Sequence, residues 1–298
     1  MEKDKIIRCI TSDGTIMASA LDSTNIVYTA RKLHRTSQVA TAALGRLITA
    51  ASVMGAQLKQ KNASITLRVN GGGPLGAVIA VADSKGNCRG YAENPACETQ
   101  YYANGKVNVA QAVGKNGILN VMRDYGQGDP YIGQTPLNSG EIAEDITQYY
   151  AASEQIPTVC ALGVLLDKED GNVLLAGGLL IQLLPAADDD VITRLEQNIA
   201  TLEPMTTLLA KGMDALAICK TALAGFEVEV LDEMPVDYVC TCSREKVVNS
   251  IRLLNDDEIR SLADEKGYAK ANCHFCNKNY RFTKAQLEAI IQNKNRKI

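Results

Sequence analysis

The sequence has no tryptophan, only two histidines, and 5% aromatic residues. Aliphatic side chains must therefore fill the core, and few histidines are available as general bases. The most apolar stretch, residues 173–184, is too short to span a bilayer and includes Gly177, Gly178 and Gln182. No apolar segment of the signal-peptide type follows residues 1–5. These absences predict a cytoplasmic protein with no membrane partner.

Sequence motifs of several enzyme classes are also missing. Residues 71–76 are rich in glycine, but they lack the Lys-Ser/Thr pair of a phosphate-binding loop, and no predicted helix follows them. Neither Gly-x-Ser-x-Gly nor His-Glu-x-x-His occurs. We therefore expect no catalytic residues and no enzymatic activity, and we interpret residues 71–76 as a turn between strands.

The composition is that of an ordinary globular protein, with 46% hydrophobic and 22% charged residues in a chain of 298. Alternating apolar residues predict a hairpin near residues 6–18 and a strand at 64–69. Apolar residues at helical spacing predict a long helix that begins at Thr36 or Ser37 and ends near Lys59. We predict an α+β fold whose N-terminal domain, residues 1–185, is mixed and sandwich-like.

The next segment, residues 186–233, has a largely helical pattern. Asp188 to Asp190 place three acidic residues at a helix start, where they favour the helix dipole, and Pro204 interrupts the pattern. One apolar stripe consists of Val191, Leu195, Ile199 and Leu202. Residues 226–230 alternate like a strand. We predict a helical linker segment over 186–233, followed by a small C-terminal domain over 234–298.

The C-terminal domain contains two cysteine pairs. Cys240 and Cys242 form a Cys-x-Cys motif, and thirty residues separate them from Cys273 and Cys276 in a Cys-x-x-Cys motif. Zinc prefers four thiolates in a tetrahedron, and two closely spaced pairs are the usual way to supply them. We predict that these four cysteines bind one Zn²⁺.

His274 lies between two of these cysteines, so a site of three cysteines and one histidine is the alternative. Adjacent residues rarely both face one metal, which favours the four cysteines. A shell of four thiolates leaves no open coordination position and therefore indicates a structural or regulatory metal. Zinc-bound thiolates remain open to oxidants, and the spacing allows a local disulfide within each pair. The five other cysteines are interpreted as small buried hydrophobic residues: Cys9, Cys88, Cys97, Cys160 and Cys219.

At these residues the sequence resembles the redox-regulated 33 kDa heat-shock chaperone family of bacteria. The likeness extends over nearly the whole chain, and the shared segments occur in the family's order. They are Gly-Pro-Leu-Gly at 73–76, Arg-Gly-Tyr-Ala-Glu-Asn-Pro at 89–95, Phe-Glu-Val-Glu-Val-Leu-Asp-Glu-Met-Pro at 226–235, and the two cysteine motifs.

The resemblance implies an N-terminal α+β domain, a metastable helical linker and a C-terminal zinc-binding redox-switch domain. It also implies a holdase that works without ATP and is inactive while reduced and zinc-bound. Oxidation would form the disulfides Cys240–Cys242 and Cys273–Cys276, release zinc and produce a homodimer. The active form would bind unfolding or oxidatively damaged client proteins and prevent their aggregation.

Two other functions fit parts of the sequence. Residues 234–298 contain 12 Lys and Arg against 8 Asp and Glu, which suggests a zinc-ribbon protein that binds nucleic acid or has a regulatory role. The overall charge of −3 and the few aromatic residues argue against a nucleic-acid partner. The second alternative is a thiol-disulfide oxidoreductase that uses Cys273 and Cys276. That motif normally opens a helix, whereas here it is predicted to lie in a turn.

Overall fold

The computed structural model describes residues 4–295. Residues 1–3 of the predicted N-terminal domain and residues 296–298 of the predicted C-terminal domain lie outside the described residues. The chain divides into two compact units, Met1–Val239 and Cys240–Ile298. Helices and sheets are mixed, so the predicted α+β fold class is confirmed. The finer division at residues 185 and 233 stays a prediction.

The strands of the first unit form two five-stranded antiparallel sheets. In chain order they are β1 (Asp4–Thr11), β2 (Ile16–Asp22), β3 (Ser64–Asn70), β4 (Val78–Asp83), β5 (Cys88–Ala92), β6 (Ile118–Asp124), β7 (Tyr131–Pro136), β8 (Thr158–Leu166), β9 (Val173–Leu183) and β10 (Val228–Val236). The first sheet has the order β10-β1-β2-β9-β8, and the second has the order β5-β4-β3-β6-β7. The predicted hairpin is confirmed as β1 and β2, and the strand predicted at 64–69 is confirmed as β3.

The glycine-rich stretch at 71–76 connects β3 to β4, which confirms its interpretation as a turn between strands. Its backbone runs against the segment that ends at Gly114. A Cβ atom added to Gly71 would lie 2.2 Å from the carbonyl oxygen of Gly114. The glycine is therefore explained by a close backbone approach.

The helices of the first unit are α1 (Thr24–His34), α2 (Gln38–Gly55), α3 (Val109–Val113), α4 (Ala143–Tyr149), α5 (Asp189–Thr201), α6 (Met205–Ala210) and α7 (Ala215–Ala222), and a π-helical turn, Tyr150–Glu154, extends α4. Helix α2 is buried on nearly all sides because it packs against strands of both sheets. The Ser37 hydroxyl accepts a hydrogen bond from the Ala40 N–H, as expected of an N-cap. The helix ends at Gly55, before the predicted end near Lys59.

Helices α5, α6 and α7, together called the helical layer, cover the face of the first sheet that points away from α2. Successive strand residues face opposite sides, so Ile6 belongs to the α2 side while Ile7 contacts the helical layer. Helix α5 begins after Asp188, whose carboxylate accepts the Val191 N–H at 3.0 Å. The predicted apolar stripe of α5 packs into this interface: Val191, Leu195, Ile199 and Leu202.

The strand predicted at 226–230 is confirmed as β10, which begins two residues later, at Val228, and extends to Val236. Strand β10 pairs with β1, so the last part of the predicted linker segment completes the first sheet. Within residues 4–295, none of the helices combines the length and the apolar character needed to cross a bilayer.

The second unit is a small module with its own core. It contains α8 (Arg244–Ile251), α9 (Asp256–Ser261), β11 (Tyr268–Asn272), β12 (Asn279–Thr283) and α10 (Lys284–Asn295). Helix α8 begins after Ser243, whose hydroxyl accepts the Lys246 N–H, and α9 begins with a capping box of Asn255 and Glu258. Thr283 and Gln286 likewise exchange hydrogen bonds at the start of α10. The buried core is confined to a few side chains: Ile251, Ile259, Ala269, Tyr280, Phe282, Leu287, Ile290 and Ile291.

Candidate metal centre

Cys273 and Cys276 lie in the tight turn that joins β11 to β12. The N–H groups of Cys276 and Asn277 both donate to the Cys273 carbonyl, at 3.3 and 2.8 Å, and the Cys273 N–H donates to the Lys278 carbonyl at 3.0 Å. Asn277 has a φ of 57°, a left-handed conformation that asparagine tolerates. The predicted turn is therefore confirmed, and the Cys-x-x-Cys motif does not open a helix as the oxidoreductase alternative requires.

The other two cysteines lie in the extended segment that precedes α8. Ser243 follows Cys242 directly and accepts the Lys246 N–H, which fixes where the extended segment ends and the helix begins. Cys242 also packs against the core of the second unit. The N-cap at Ser243 and the packing of Cys242 against the core thus fix the position of this half of the site.

The structure brings the four Sγ atoms within 4.8 Å of one another. The Sγ atoms of Cys240 and Cys273 are 3.6 Å apart, and those of Cys242 and Cys276 are 3.5 Å apart. In a tetrahedral zinc site with Zn–S bonds of about 2.3 Å, the sulfurs are about 3.8 Å apart. These four sulfurs, called the sulfur cluster, could therefore hold a metal ion, and their spacing fits zinc.

His274, the alternative ligand, belongs to the same turn as Cys273 and Cys276. Among residues 4–295, the group of side chains close enough to share one metal ion comprises the four cysteines and does not include His274. The geometry therefore favours four sulfur ligands over three sulfurs and an imidazole.

The thiols of the sulfur cluster differ in how readily they ionise. Burial raises the pKa of Cys240 to about 12 and also raises the pKa of Cys276. The Tyr280 hydroxyl donates a hydrogen bond to the Cys242 sulfur at 3.1 Å and lowers the pKa of that thiol to about 7. Of these three thiols, Cys242 is the most readily deprotonated. Sequence reasoning missed Tyr280, which lies outside both cysteine motifs.

The five remaining cysteines are mostly buried, as predicted from the sequence. Cys9, Cys88, Cys97 and Cys219 are buried, while Cys160 is partly exposed. Two of them are not isolated in space, since Cys9 of β1 and Cys219 of α7 belong to the same buried apolar cluster. No local pattern in the sequence signals this shared burial.

Comparisons with known proteins agree with the resemblance. The family model described as Hsp33 protein matches residues 4–283. A 33 kDa chaperonin of Acetivibrio thermocellus is 44% identical over 290 residues and covers 97% of both proteins. A 33 kDa chaperonin of Clostridioides difficile strain 630 is 42% identical over 290 residues, which are 97% of this chain and 99% of that protein.

Among solved structures, the crystal structure of the 33 kDa chaperonin (heat shock protein 33 homolog) from Thermotoga maritima aligns with a TM-score of 0.89. The two chains are 32% identical, and the alignment covers 99% of this chain and 100% of that one. The family model and the relatives agree over nearly the full length, and this chain therefore belongs to the Hsp33 family of chaperones.

Proposed function

We propose that this protein is a redox-regulated holdase chaperone that works without ATP. In the reduced form, Cys240, Cys242, Cys273 and Cys276 hold one Zn²⁺, and the protein is inactive. Oxidation of the four thiols releases the metal and activates binding of unfolding client proteins. The observation that supports this proposal is the sulfur cluster, in which a small module places four oxidisable thiols close enough to share one metal ion.

The size of the second unit supports a folding role for the metal. Its core contains one buried phenylalanine, Phe282, together with a few aliphatic residues and Tyr280. A core of this size supplies little net stability, so small domains depend on metals or disulfides. When bound, zinc supplies a cross-link between the segment at Cys240 and the turn at Cys273, and loss of the ligands removes that cross-link.

The proposed oxidation forms one disulfide in each sequence pair, Cys240–Cys242 and Cys273–Cys276. For each pair, a peroxide accepts two electrons, its O–O bond breaks, the two thiols lose their protons, and an S–S bond forms. The shortest sulfur contacts join Cys240 to Cys273 and Cys242 to Cys276. The proposed pairing therefore requires the sulfur cluster to rearrange after the metal leaves.

The helical layer is the proposed source of the client-binding surface. Helices α6 and α7 have only six and eight residues, and Pro204 and the left-handed Gly212 interrupt the chain between the three helices. Short interrupted helices belong to the less stable parts of a fold. If the layer leaves the sheet, it exposes a contiguous apolar surface of a kind that binds other proteins. The surface on the sheet includes Ile7, Ile16, Ala18, Leu179 and Ile181.

Unfolded proteins are the proposed partners, and the oxidised chain is proposed to act as a homodimer in the cytoplasm. No nucleic-acid partner, membrane partner or enzymatic activity is proposed. The surplus of basic residues in the second unit is partly engaged inside the module: Arg244 stacks on Phe282, and Arg260 pairs with Glu288. Arginines held in this way are poorly placed to neutralise phosphates.

The test measures zinc, free thiols and suppression of aggregation on the same sample before and after treatment with peroxide at a mildly raised temperature. We expect the treated protein to lose its zinc and four thiols and to suppress light scattering by an unfolding client. Retained zinc and thiols with unchanged light scattering would contradict the proposal. Peptide mapping of the oxidised protein separates the proposed disulfides from cross-links between the two pairs.

Tyr280→Phe tests the hydrogen bond to the sulfur cluster. We expect this substitution to weaken zinc binding about tenfold to a hundredfold, since groups that hydrogen-bond to metal ligands contribute to affinity on this scale. Competition with a chromophoric chelator measures the affinity. Tyr268→Phe is the matched control, because Tyr268 lies on the neighbouring strand under Arg281. Equal affinities for the two variants would show that the Tyr280 hydroxyl does not support the site.

A further inference from the structure

Strand β8 lies at an edge of the first sheet that has none of the usual protections against pairing with another chain. Charged residues, prolines and covering segments normally protect an edge strand. At the other edges of the two large sheets, β10 carries three acidic residues and Pro235, β5 is bridged to Tyr238, and β7 has six residues and ends at Pro136. Strand β8, Thr158–Leu166, has nine residues and contains neither a charged residue nor a proline.

The open side of β8 presents backbone groups at every second residue. The Leu183 N–H donates to the Pro157 carbonyl at 3.0 Å, which fixes the residues of β8 that face β9. Because hydrogen-bonded residues alternate along an antiparallel pair, the N–H and C=O groups of Cys160, Leu162 and Val164 point away from β9. Among residues 4–295, no backbone or side-chain group bonds to them. The edge therefore offers a row of free donors and acceptors.

The same edge lines a groove of about 380 Å³, called the β8 groove. Residues 162–166 line it together with residues of α2, of the turn at 101–107 and of the start of α6. Apolar side chains from three of these parts contribute: Ala42, Leu165 and Met205. The volume is in the range of ligand-binding pockets, and the lining combines apolar side chains with the open strand edge.

Two exposed lysines, Lys106 and Lys168, also line the β8 groove. Within the described part of the chain neither lysine has an ion pair, whereas Arg46 in the same groove is paired with Glu141. The aspartates of the β8–β9 turn accept N–H groups inside that turn and do not line the groove. The charge of the groove therefore favours a ligand with acidic groups.

We propose that the β8 groove binds an extended, mostly apolar segment of an unfolded protein that carries acidic residues, and that this segment joins the first sheet as an added strand. Its backbone bonds to Cys160, Leu162 and Val164, and its acidic side chains pair with Lys106 and Lys168. Backbone bonds supply affinity for many sequences, while the groove selects among side chains. The identity of this segment as part of a client rests on the proposed function.

A single extended chain fits the β8 groove better than a second copy of this protein does. Each folded copy carries α6 and the turn at 101–107 beside its β8, so two copies would have to bring four such walls together before their strands could pair. They would also bring together the lysines of both grooves, and the lining residues include one acid-free set in each copy. Charge and shape thus both favour an acidic extended segment.

The β8 groove adjoins the proposed client-binding surface. Val159 and Ala161 of β8 pack in the same apolar cluster as the sheet residues beneath the helical layer. The groove is present while that layer is in place, so it provides a first, weak contact for a short segment. Departure of the layer would extend this contact over the apolar face of the sheet.

Fluorescence anisotropy of the labelled peptide acetyl-Glu-Val-Thr-Val-Thr-Val-Glu-amide tests binding to the reduced, zinc-loaded, full-length protein. We expect saturable binding that Lys106→Glu weakens about fivefold, because the reversed charge replaces an exposed ion pair by repulsion. A peptide with lysine in place of glutamate should instead prefer Lys106→Glu over wild type. Lys85→Glu is the control, since it makes the same change of charge in the β4–β5 turn. Absence of binding, or equal affinities for all three proteins, would overturn the proposal.

Amide exchange resolved by NMR tests the position of the bound peptide. Saturation should slow exchange of the Cys160, Leu162 and Val164 N–H groups at least about tenfold, while Ala161 and Gly163, which face β9, should change little. Binding without this alternation would overturn the added strand. Protection of the same amides that rises with protein concentration in the free protein would show that a second copy occupies the edge. Neither assay involves aggregation, so failure of redox-dependent aggregation suppression would contradict the proposed function separately.

Discussion

Removal of zinc with a chelator is expected to unfold the second unit while the first unit stays folded. The apparent contribution of a structural zinc ion to folding is about 10 kcal/mol or more. The small core around Phe282 cannot replace a contribution of that size. Amide exchange measured before and after chelation should show loss of protection in residues 240–295 and retained protection in the strands of the two large sheets.

Cys276→Ser provides the same test without a chelator, since it removes one of the four sulfurs. We expect this variant to bind zinc weakly. Its second unit should lose protection from amide exchange even under reducing conditions. Cys160→Ala is the control, because Cys160 lies on β8 of the first unit and is not one of the four sulfurs of the cluster. A second unit that keeps its protection in Cys276→Ser would mean that its core, and not the metal, holds the fold.

Ile218→Asp is expected to activate aggregation suppression in the reduced, zinc-bound protein. Ile218 is fully buried where α7 meets the first sheet. A carboxylate at this position would be buried in an apolar cluster and would cost about 4 kcal/mol, which is enough to drive a short helix off its surface. The measurements are light scattering of an unfolding client in the presence of reductant and zinc, together with amide exchange of α5 to α7.

Ile218→Val is the matched variant, because it keeps an apolar side chain and costs only about 1 kcal/mol. It should behave like wild type under reducing conditions. Zinc content should be unchanged in both variants, since the sulfur cluster belongs to the other unit. If Ile218→Asp loosens the helical layer but leaves aggregation unchanged, the client-binding surface lies elsewhere.

Features that depend on neighbouring residues could be predicted from the sequence. The cap at Ser37, the capping box of Asn255 and Glu258, and the turn at Cys273 and Cys276 are all encoded within a few positions. The four cysteines of the sulfur cluster could be predicted as metal ligands for the same reason, because each pair is closely spaced in the sequence. Helix α1 was missed, since Ser23 makes no side-chain cap and the first turn has no acidic residue.

Features that depend on distant contacts could not be predicted in this way. Tyr280 is 38 positions from Cys242 and reaches its sulfur only because the β11–β12 hairpin packs against the segment before α8. The Nε2 atom of His34 lies 3.1 Å from the Tyr238 hydroxyl, although the two residues are 204 positions apart in the sequence. The burial of Cys9 and Cys219 in one apolar cluster likewise depends on how a helix packs on a sheet.

The pairing of β1 with β10 constrains the order in which the chain can fold during synthesis on the ribosome. Strand β1 is made first, but its outer neighbour is complete only when Val236 has been synthesised. Until then the outer edge of β1 is open, and nascent chains with open strand edges are prone to wrong pairing. Contacts between such distant segments also form slowly. The first sheet can close only four residues before Cys240, so the metal-binding module is synthesised after the last strand of that sheet.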